Sequence, residues 1–297
     1  MNWWDRLVAT KEALVKELSR RGIKERYLVF GGEGEPPAKK PTVPTDARSE
    51  FLANRAMGDW AEDALARAVR NARPDWQVCM YGNAQRIAAG EPGFKEFYLS
   101  ILEDVRLFGK RPDLLILSKD AAVPDGISAA PTPAVEKLVR NSIAGIEVRS
   151  SKFEALKYMA VRKEERAAGG RGGRECPSFT VKVEDLRIVY RWLERYRKPQ
   201  TYCQVFFDSV FAVNFLNIFE IVASGEGFQI ETPAKSQEKA TIMIPITSGV
   251  QVGHFTSLPQ FKASVRVTRL GRHDAYVVPT GGCLEVDGRL LEQVLLP

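Results

Sequence analysis

Two short apolar runs, each bordered by a carboxylate, place the strongest constraint on how this chain can fold. Residues 114–117 (Leu-Leu-Ile-Leu) follow Asp113, and residues 143–146 (Ile-Ala-Gly-Ile) lead into Glu147. Four apolar residues in a row are typical of strands that are covered on both faces. A buried charge without a partner is costly, so both carboxylates need one. If the strands are neighbours, Asp113 and Glu147 lie close together and repel each other unless a cation lies between them.

The residues that follow Glu147 add two cationic side chains to this candidate site. Oxygen ligands from one or two carboxylates suit Mg²⁺, so Asp113 and Glu147 are candidate ligands for that ion. Strict strand alternation places Arg149 on the face of Glu147 and Lys152 on the opposite face. We therefore expect Lys152 to reach the site only if the strand bends or ends there.

The Pro112-Asp113 dipeptide, followed by Glu147 on a second strand, resembles the core of the PD-(D/E)xK nucleases. In that family two carboxylates hold Mg²⁺, and a lysine helps to activate the attacking water. The resemblance implies that Asp113 and Glu147 are catalytic residues and metal ligands. It also implies that the Val148 carbonyl is a further ligand.

The chain departs from the family pattern at Arg149, which stands where the family has lysine. An arginine stays protonated and cannot act as a base, but it can orient water or stabilise charge on a phosphate. Lys152 is the first lysine after this position. We expect both cations to be catalytic residues, with Lys152 nearer the attacking water and Arg149 nearer a phosphate or a carboxylate.

A predicted helix over residues 46–71 offers a third acidic side chain. Asn54, Gly58 and Glu62 recur every four residues and therefore form one ridge of that helix. The segment around Gly58 resembles the helix that precedes the core in many PD-(D/E)xK nucleases, where a glycine allows close packing and a glutamate approaches the metal. By that resemblance Glu62 is a metal ligand. A surface glutamate on a packing helix is the alternative.

A second arrangement within the same family stays open. In that arrangement the lysine comes from a Ser-x-Lys sequence, and a later glutamate replaces the strand glutamate. Residues 150–152 (Ser-Ser-Lys) with Glu164 or Glu165 fit it approximately. Glu147 is preferred because it needs no such exchange.

Composition limits the chemistry that is open to the 297 residues. The 43 Lys and Arg residues exceed the 37 Asp and Glu residues and give a formal net charge of +6, which is compatible with a polyanionic partner. The four cysteines form no Cys-x-x-Cys pair, and the two histidines are too few for histidine-based hydrolysis or a His-rich metal site. No segment has the length of a membrane span, and the first residues lack a signal-peptide pattern, so we expect a cytoplasmic protein without membrane contact.

Two polar segments supply candidate DNA contacts. Residues 169–174 (Gly-Gly-Arg-Gly-Gly-Arg) suit backbone approach to phosphates, although a simple connector is equally compatible. Residues 235–239 lie near predicted strand ends, where polar groups can read base edges, although polar turns are also normal there. The candidate DNA-binding residues are Arg171, Arg174, Lys235, Gln237 and Lys239.

Hydrophobic periodicity predicts an α/β fold with a mixed central sheet that is flanked by helices. We expect residues 1–45 to form an N-terminal helix and basic arm, and the resemblance described above implies that residues 46–225 form a PD-(D/E)xK-like nuclease core. We expect residues 226–297 to form a β-rich C-terminal extension that is integrated with the core and binds DNA. Within the core we expect a strand over 105–108 and a helix over 211–223.

Three stretches, residues 145–153, 177–186 and 198–202, resemble type II restriction endonucleases of the AccI type. The resemblance implies a Mg²⁺-dependent homodimer that cuts both strands of double-stranded DNA at a short palindrome, with a cognate DNA methyltransferase in the same system. Two other classes stay open. One is another nuclease on the same core, acting in repair or on DNA structure. The other is a non-catalytic DNA-binding protein, which the departure at Arg149 keeps open.

Overall fold

The computed structural model describes residues 2–30, 43–44, 48–82, 87, 89, 91–170, 173–232, 239–268 and 271–297. The helices in these ranges are α1 (Trp3–Arg20), α2 (Ser49–Ala72), α3 (Phe94–Phe108), α4 (Thr132–Arg140), α5 (Ala155–Ala167), α6 (Val183–Tyr196), α7 (Phe215–Ser224) and α8 (Gly288–Leu295). The strands are β1 (Trp76–Met80), β2 (Leu114–Ser118), β3 (Ala144–Ser150), β4 (Ser178–Lys182), β5 (Gln200–Val205), β6 (Ser209–Asn214), β7 (Gln229–Glu231), β8 (Thr241–Pro245), β9 (Val250–Ser257), β10 (Gln260–Val267), β11 (His273–Thr280) and β12 (Cys283–Val286). No helix in the described ranges is both long enough and apolar enough to cross a membrane.

A mixed sheet forms the centre of the described structure, with the strand order β1-β2-β3-β5-β6-β9-β12. β3 and β5 run parallel, and every other neighbouring pair in this sheet is antiparallel. Helices α2 and α8 cover one face, and α1, α6 and α7 contribute to the core on the other. The predicted α/β fold, with a mixed central sheet flanked by helices and further strands towards the C-terminus, is confirmed.

The two faces of the central sheet pack into separate apolar cores, and alternate residues of β2 supply each core. Leu114 and Ile116 belong to the core beneath α2, whereas Leu115 and Leu117 belong to the core beneath α6. All four side chains are fully buried. This double coverage explains why β2 is a continuous apolar run and not an alternating one.

Antiparallel pairing of β2 with β3 brings their charged residues to one edge of the sheet. Leu114 lies opposite Ile146, so Asp113 and Glu147 both lie just beyond this pair. Gly145 lets the loop before β2 pack onto β3. A Cβ built on Gly145 would lie only 2.6 Å from Cγ of Pro112 in that loop.

The strands of the β-rich C-terminal part belong to three different sheets. β9 and β12 hydrogen-bond into the central sheet, and β10 and β11 form a two-stranded ribbon beside α2. β7 and β8 join β4 in a separate three-stranded sheet. The C-terminal strands therefore extend the main sheet and also build structure outside it.

Two local predictions are wrong. Residues 105–108 continue α3, which ends where Gly109 adopts a φ of +85°, a left-handed conformation that favours glycine. Residues 209–214 form β6, and α7 begins only at Phe215, where the Asn214 side chain caps it. Every residue of β6 is buried between two neighbouring strands, so tertiary pairing decides its conformation.

Two glycine substitutions test this packing in opposite directions. We expect Gly145→Ala to lower the free energy of unfolding by about 1–3 kcal/mol, because the added methyl overlaps Pro112. Gly58→Ala is the matched control: Gly58 lies inside α2, and no atom lies within 4 Å of the position that the alanine methyl would take. Alanine there should raise stability by about 0.5–1 kcal/mol. Urea denaturation measures both, and an equal response at the two positions would contradict the assigned packing.

Candidate active site

The turn that follows α3 lies directly against α6 and thereby fixes Lys110. A Cβ built on Gly109 would lie 2.4 Å from the Trp192 nitrogen and 2.6 Å from the Ile188 carbonyl oxygen, so this close approach requires glycine. The backbone N–H of Lys110 donates a hydrogen bond to the same Ile188 carbonyl at 2.8 Å. Backbone contacts therefore determine where the Lys110 side chain begins.

The next residue, Arg111, is a buried anchor. Its Nη2 donates to the Ala130 carbonyl at 2.8 Å and to Thr132 Oγ1 at 2.7 Å. The Asp104 carboxylate lies 3.4 Å from the same nitrogen and balances the charge. Moving the Arg111 side chain away from these partners would leave a buried charge uncompensated, which is strongly destabilising. The contacts therefore hold the loop before β2 in place.

Asp113 connects three strands at the edge of the sheet. Its carbonyl accepts hydrogen bonds from the backbone N–H groups of Tyr81 and Gly82, at 2.8 and 3.0 Å. Its carboxylate Oδ2 accepts a hydrogen bond from the backbone N–H of Val148 at 2.7 Å. The carboxylate is thus oriented towards the stretch of β3 that contains Glu147.

Glu147 is 1% exposed, and its two carboxylate oxygens have different surroundings. Oε1 contacts the ammonium group of Lys110 and lies 3.2 Å from Nη2 of Arg149. Oε2 is buried and has no hydrogen-bond partner among the described residues. An unsatisfied buried carboxylate oxygen is costly, so Oε2 is a position where a cation would be favourable.

Arg149 lies between two carboxylates. Its Nη2 is 2.7 Å from Oδ2 of Asp185, at the start of α6, and 3.2 Å from Oε1 of Glu147. The guanidinium also lies 5.9 Å from the centre of the Tyr202 ring. Arg149 therefore links β3 to α6 and shares Glu147 with Lys110.

Lys152 lies beyond the end of β3 and is exposed. Within the described residues it forms no hydrogen bond or ion pair with Asp113 or Glu147. The surrounding segment is tethered at both ends: Ser151 N–H donates to the Val205 carbonyl at 2.9 Å, and Ala155 N–H donates to the Asp208 carboxylate at 2.8 Å.

A cleft of about 600 Å³ opens beside Asp113. Asn54, Gly58 and Glu62, the predicted ridge of α2, line one side of it, and Gly82 lies next to Asp113. Gly58 faces open space, so the close packing that the family resemblance implied at this glycine is absent among the described residues. Glu62 faces the cleft as a partly buried carboxylate.

Burial, and after it repulsion between carboxylates, shifts the pKa values of the acidic groups in the site. Burial, followed by the charge of Glu147, raises the pKa of Asp113 well above its usual range, although Lys110 partly offsets this effect. Burial, then the charges of Asp59 and Glu147, raises the pKa of Glu62 to about 7. Burial lowers the pKa of Lys110, but the acidic groups around it, Glu147 first and then Asp185 and Tyr202, together raise it, and the net effect is a raised pKa.

The oxygen donors at this edge suit a divalent cation of the Mg²⁺ kind. The described residues contain no cluster of three His, Cys, Asp or Glu side chains in metal-binding proximity. Mg²⁺, however, is typically held by one or two carboxylates and keeps several waters. Asp113 and Oε2 of Glu147 supply that number. The N–H of Val148 points at Asp113, and its carbonyl points to the same side of β3 because both groups of a strand residue do so.

The other candidate residues that the structure describes lie apart from this edge. Arg174 is 43% exposed and pairs with Glu231 at 2.7 Å, and Lys239 is exposed. Arg171, Lys235 and Gln237 lie outside the described residues. Glu164 and Glu165 lie near the end of α5, where Glu165 contacts Arg162.

Sequence reasoning missed two members of the site, Lys110 and Asp185. Lys110 lies only three residues before Asp113, but strand alternation says nothing about the direction of a loop side chain. Asp185 is an acidic residue in the first turn of α6, a position that helix-dipole interactions alone would explain.

The pKa of Glu62 predicts how the stability of the metal-free protein depends on pH. A carboxyl group whose pKa rises from 4.5 to about 7 on folding contributes stability below pH 4.5, and that contribution is lost as the pH rises through 7. Glu62→Gln should therefore gain stability relative to the wild type between about pH 5 and pH 8, in urea denaturation with EDTA. Glu50→Gln, an exposed residue on the same helix, controls for the loss of one negative charge from α2. If the difference in unfolding free energy between Glu62→Gln and the wild type does not change with pH, that result would argue against a carboxylate cluster.

Comparison with known families covers almost the whole chain. The model of the AccI restriction endonuclease family matches residues 23–169 and 167–296. These ranges include β2 and β3 and the three carboxylates Glu62, Asp113 and Glu147. Comparisons with curated proteins and with solved structures found no significant match. Since the family match extends over far more than half of the sequence, the chain belongs to the AccI restriction endonuclease family.

Proposed function

We propose that this restriction endonuclease is a type II enzyme that hydrolyses phosphodiester bonds of double-stranded DNA with Mg²⁺ at the edge formed by β2 and β3. The observation that carries the proposal is the acidic pair itself. Asp113 and Glu147 come from adjacent strands, and Oε2 of Glu147 has no hydrogen-bond partner among the described residues. This arrangement agrees with the PD-(D/E)xK pattern of the sequence.

Asp113, Glu147 and the Val148 carbonyl would hold the ion in this proposal. When bound, Mg²⁺ lowers the pKa of a coordinated water and neutralises charge that develops on the phosphate. Glu62, on the opposite wall of the cleft, adds negative charge that favours a cation there and serves as a further ligand candidate.

Arg149 holds Oε1 of Glu147 and leaves Oε2 directed away from the ion pairs. Its guanidinium is also suited to stabilising charge on a phosphate. The sequence-based proposal for Lys152 as the cation nearest the water requires the tethered segment after β3 to rearrange when DNA binds.

The substrate is proposed to be a short palindrome read by a homodimer, because a two-fold symmetric protein matches a two-fold symmetric site. Arg171, Arg174, Lys235, Gln237 and Lys239 are the proposed DNA contacts. A cognate DNA methyltransferase would protect the host DNA, and the proposed location of the enzyme is the cytoplasm.

Digestion of a sequenced plasmid with Mg²⁺, followed by mapping of the ends, tests this function. We expect discrete fragments, whereas random or structure-dependent products would indicate another kind of nuclease. Asp113→Asn and Glu147→Gln should each reduce the cleavage rate by at least about a thousandfold, because each removes a charge that holds the ion. DNA affinity in Ca²⁺ should remain, because Ca²⁺ supports binding with little cleavage.

Asp75→Asn is the matched control for the acidic pair. Asp75 also follows a proline, but it is exposed at the opposite end of the sheet, where it pairs with Arg73. This variant should cleave like the wild type. Full activity of Asp113→Asn, or activity of the wild type in EDTA, would refute the proposed site. DNA binding without cleavage of any substrate would favour the non-catalytic alternative.

Salt dependence tests the proposed phosphate contacts. If Arg171 and Arg174 each contact a phosphate, the double alanine variant should weaken binding to all sequences alike and flatten the logarithmic salt slope by about one unit per lost contact. Arg140→Ala is a matched control, because Arg140 is an exposed arginine that pairs with a glutamate on α4, much as Arg174 pairs with Glu231. A slope that is unchanged in the double variant would make the Gly-Arg loop a connector.

A further inference from the structure

We propose that Lys110 provides the ammonium group that positions the attacking water beside Glu147, in the place that a strand lysine has in the PD-(D/E)xK nucleases. The inference rests on the proposed function, because it assigns a role within the same site. The role needs the positive charge of Lys110 and its N–H donors, so the side chain stays protonated throughout.

Direct contact with Glu147 supports this role. Among the described residues, the cations that pair with Glu147 are Lys110 and Arg149, and both approach Oε1. An ammonium group has three N–H donors, of which Glu147 uses one. The Lys110 side chain as a whole is 24% exposed, and the part of its ammonium group that Glu147 does not use leaves donors for a water. Oε2 stays available to an ion while Oε1 is held by the two cations.

The position of Lys110 is built into the backbone. Gly109 packs so closely on α6 that no side chain fits there, and the Lys110 N–H bonds to Ile188 on the same helix. Arg111 then anchors the chain through its buried contacts near α4. These two anchors fix the backbone from which the Lys110 side chain starts, so only its side-chain torsions have to be ordered when it meets Glu147.

The face of the sheet also favours Lys110 over Lys152. Ile146 and Val148 belong to the core beneath α2, so Glu147 and Arg149 face the α6 side by alternation. The turn at Gly109 delivers Lys110 to that α6 side. β3 ends at Ser150, so alternation does not place Lys152; its side chain is exposed, and its segment is tethered to Val205 and Asp208.

The other nearby cation, Arg149, is committed to two carboxylates. Its Nη2 lies 2.7 Å from Asp185 and 3.2 Å from Glu147, and it therefore braces Glu147 against α6. Both ion pairs use the same Nη2, which fixes the plane of the guanidinium between Asp185 and Glu147. A compact ammonium group on a flexible stem can hold Glu147 and a water together, which is the chemistry that the site still requires.

Five variants test the role of Lys110, each assayed as full-length protein with a DNA that the wild type cleaves; one of them, Lys152→Met, removes the competing ammonium group. Lys110→Met removes the charge, Lys110→Gln keeps a hydrogen-bond donor, and Lys110→Arg keeps the charge. Lys119→Met is the matched control, because Lys119 is an exposed lysine just after the other end of β2. Readouts are the single-turnover cleavage rate in Mg²⁺, DNA affinity in Ca²⁺, and Mn²⁺ affinity of the DNA-free protein by calorimetry.

We expect Lys110→Met and Lys110→Gln to lose about a hundredfold or more in cleavage rate, and Lys110→Arg to recover part of that loss. DNA affinity should stay within about threefold of the wild type, and Mn²⁺ affinity should be unchanged or higher, because a competing positive charge is gone. If Lys110→Met does not fold, Lys110→Gln carries the test. Lys119→Met should match the wild type in every readout.

Other outcomes separate this inference from the proposed function. A wild type that cleaves while both uncharged Lys110 variants cleave equally well overturns the role of Lys110 alone. So does a loss of Mn²⁺ or DNA affinity that accounts for the whole loss of rate, because Lys110 would then be structural. A larger loss in Lys152→Met than in Lys110→Met assigns the ammonium role to Lys152. A wild type that cleaves no DNA in Mg²⁺ overturns the proposed function, and the role of Lys110 with it.

Discussion

The antiparallel pairing of β2 with β3 is the interaction on which the whole candidate site depends. Leu114 opposite Ile146 sets the register, and the residues just beyond that pair are Asp113 and Glu147. A slip of one residue would turn the side chains of one strand to the other face and separate the two carboxylates. At the same point Gly145 lies so close to Pro112 that a larger side chain at position 145 would overlap the proline ring. One register therefore satisfies both apolar cores and brings the acidic pair together.

The same register concentrates charge that the protein alone does not balance. Within the described part of the chain, Glu147 has two cations on one oxygen and none on the other, and burial together with Glu147 disfavours ionisation of Asp113. Natural proteins retain such unfavourable arrangements mainly at functional sites, where a ligand supplies the missing interaction. Arg111 shows the contrast: it is also buried, but its hydrogen bonds and Asp104 satisfy it within the chain, as expected of a structural anchor.

Helix α6 organises the cations of the site although it supplies none of them. Its Ile188 carbonyl accepts a hydrogen bond from the backbone N–H of Lys110, and its Asp185 carboxylate pairs with Arg149. Lys110 and Glu147 are 37 residues apart in the sequence. Their contact depends on the β2–β3 pairing and on the packing of the Gly109 turn against this helix. The PD-(D/E)xK motif specifies a lysine by its spacing from the glutamate on the same strand. It therefore cannot identify Lys110, which comes from the loop before the neighbouring strand β2.

The sequence by itself determined the fold class, the two buried strands and the acidic pair. Continuous apolar runs with a carboxylate at the boundary have few alternatives to covered strands, and the β2–β3 register agrees with that prediction. The tertiary structure alone decided that residues 209–214 form a strand, because burial between two neighbours outweighs local preference. It also decided which cations meet Glu147. The direction of Lys110 depends on the close packing of Gly109 against α6, and the exposure of Lys152 depends on tethers from Val205 and Asp208. Such contacts between distant segments have no periodicity in the sequence, so only the folded chain specifies them.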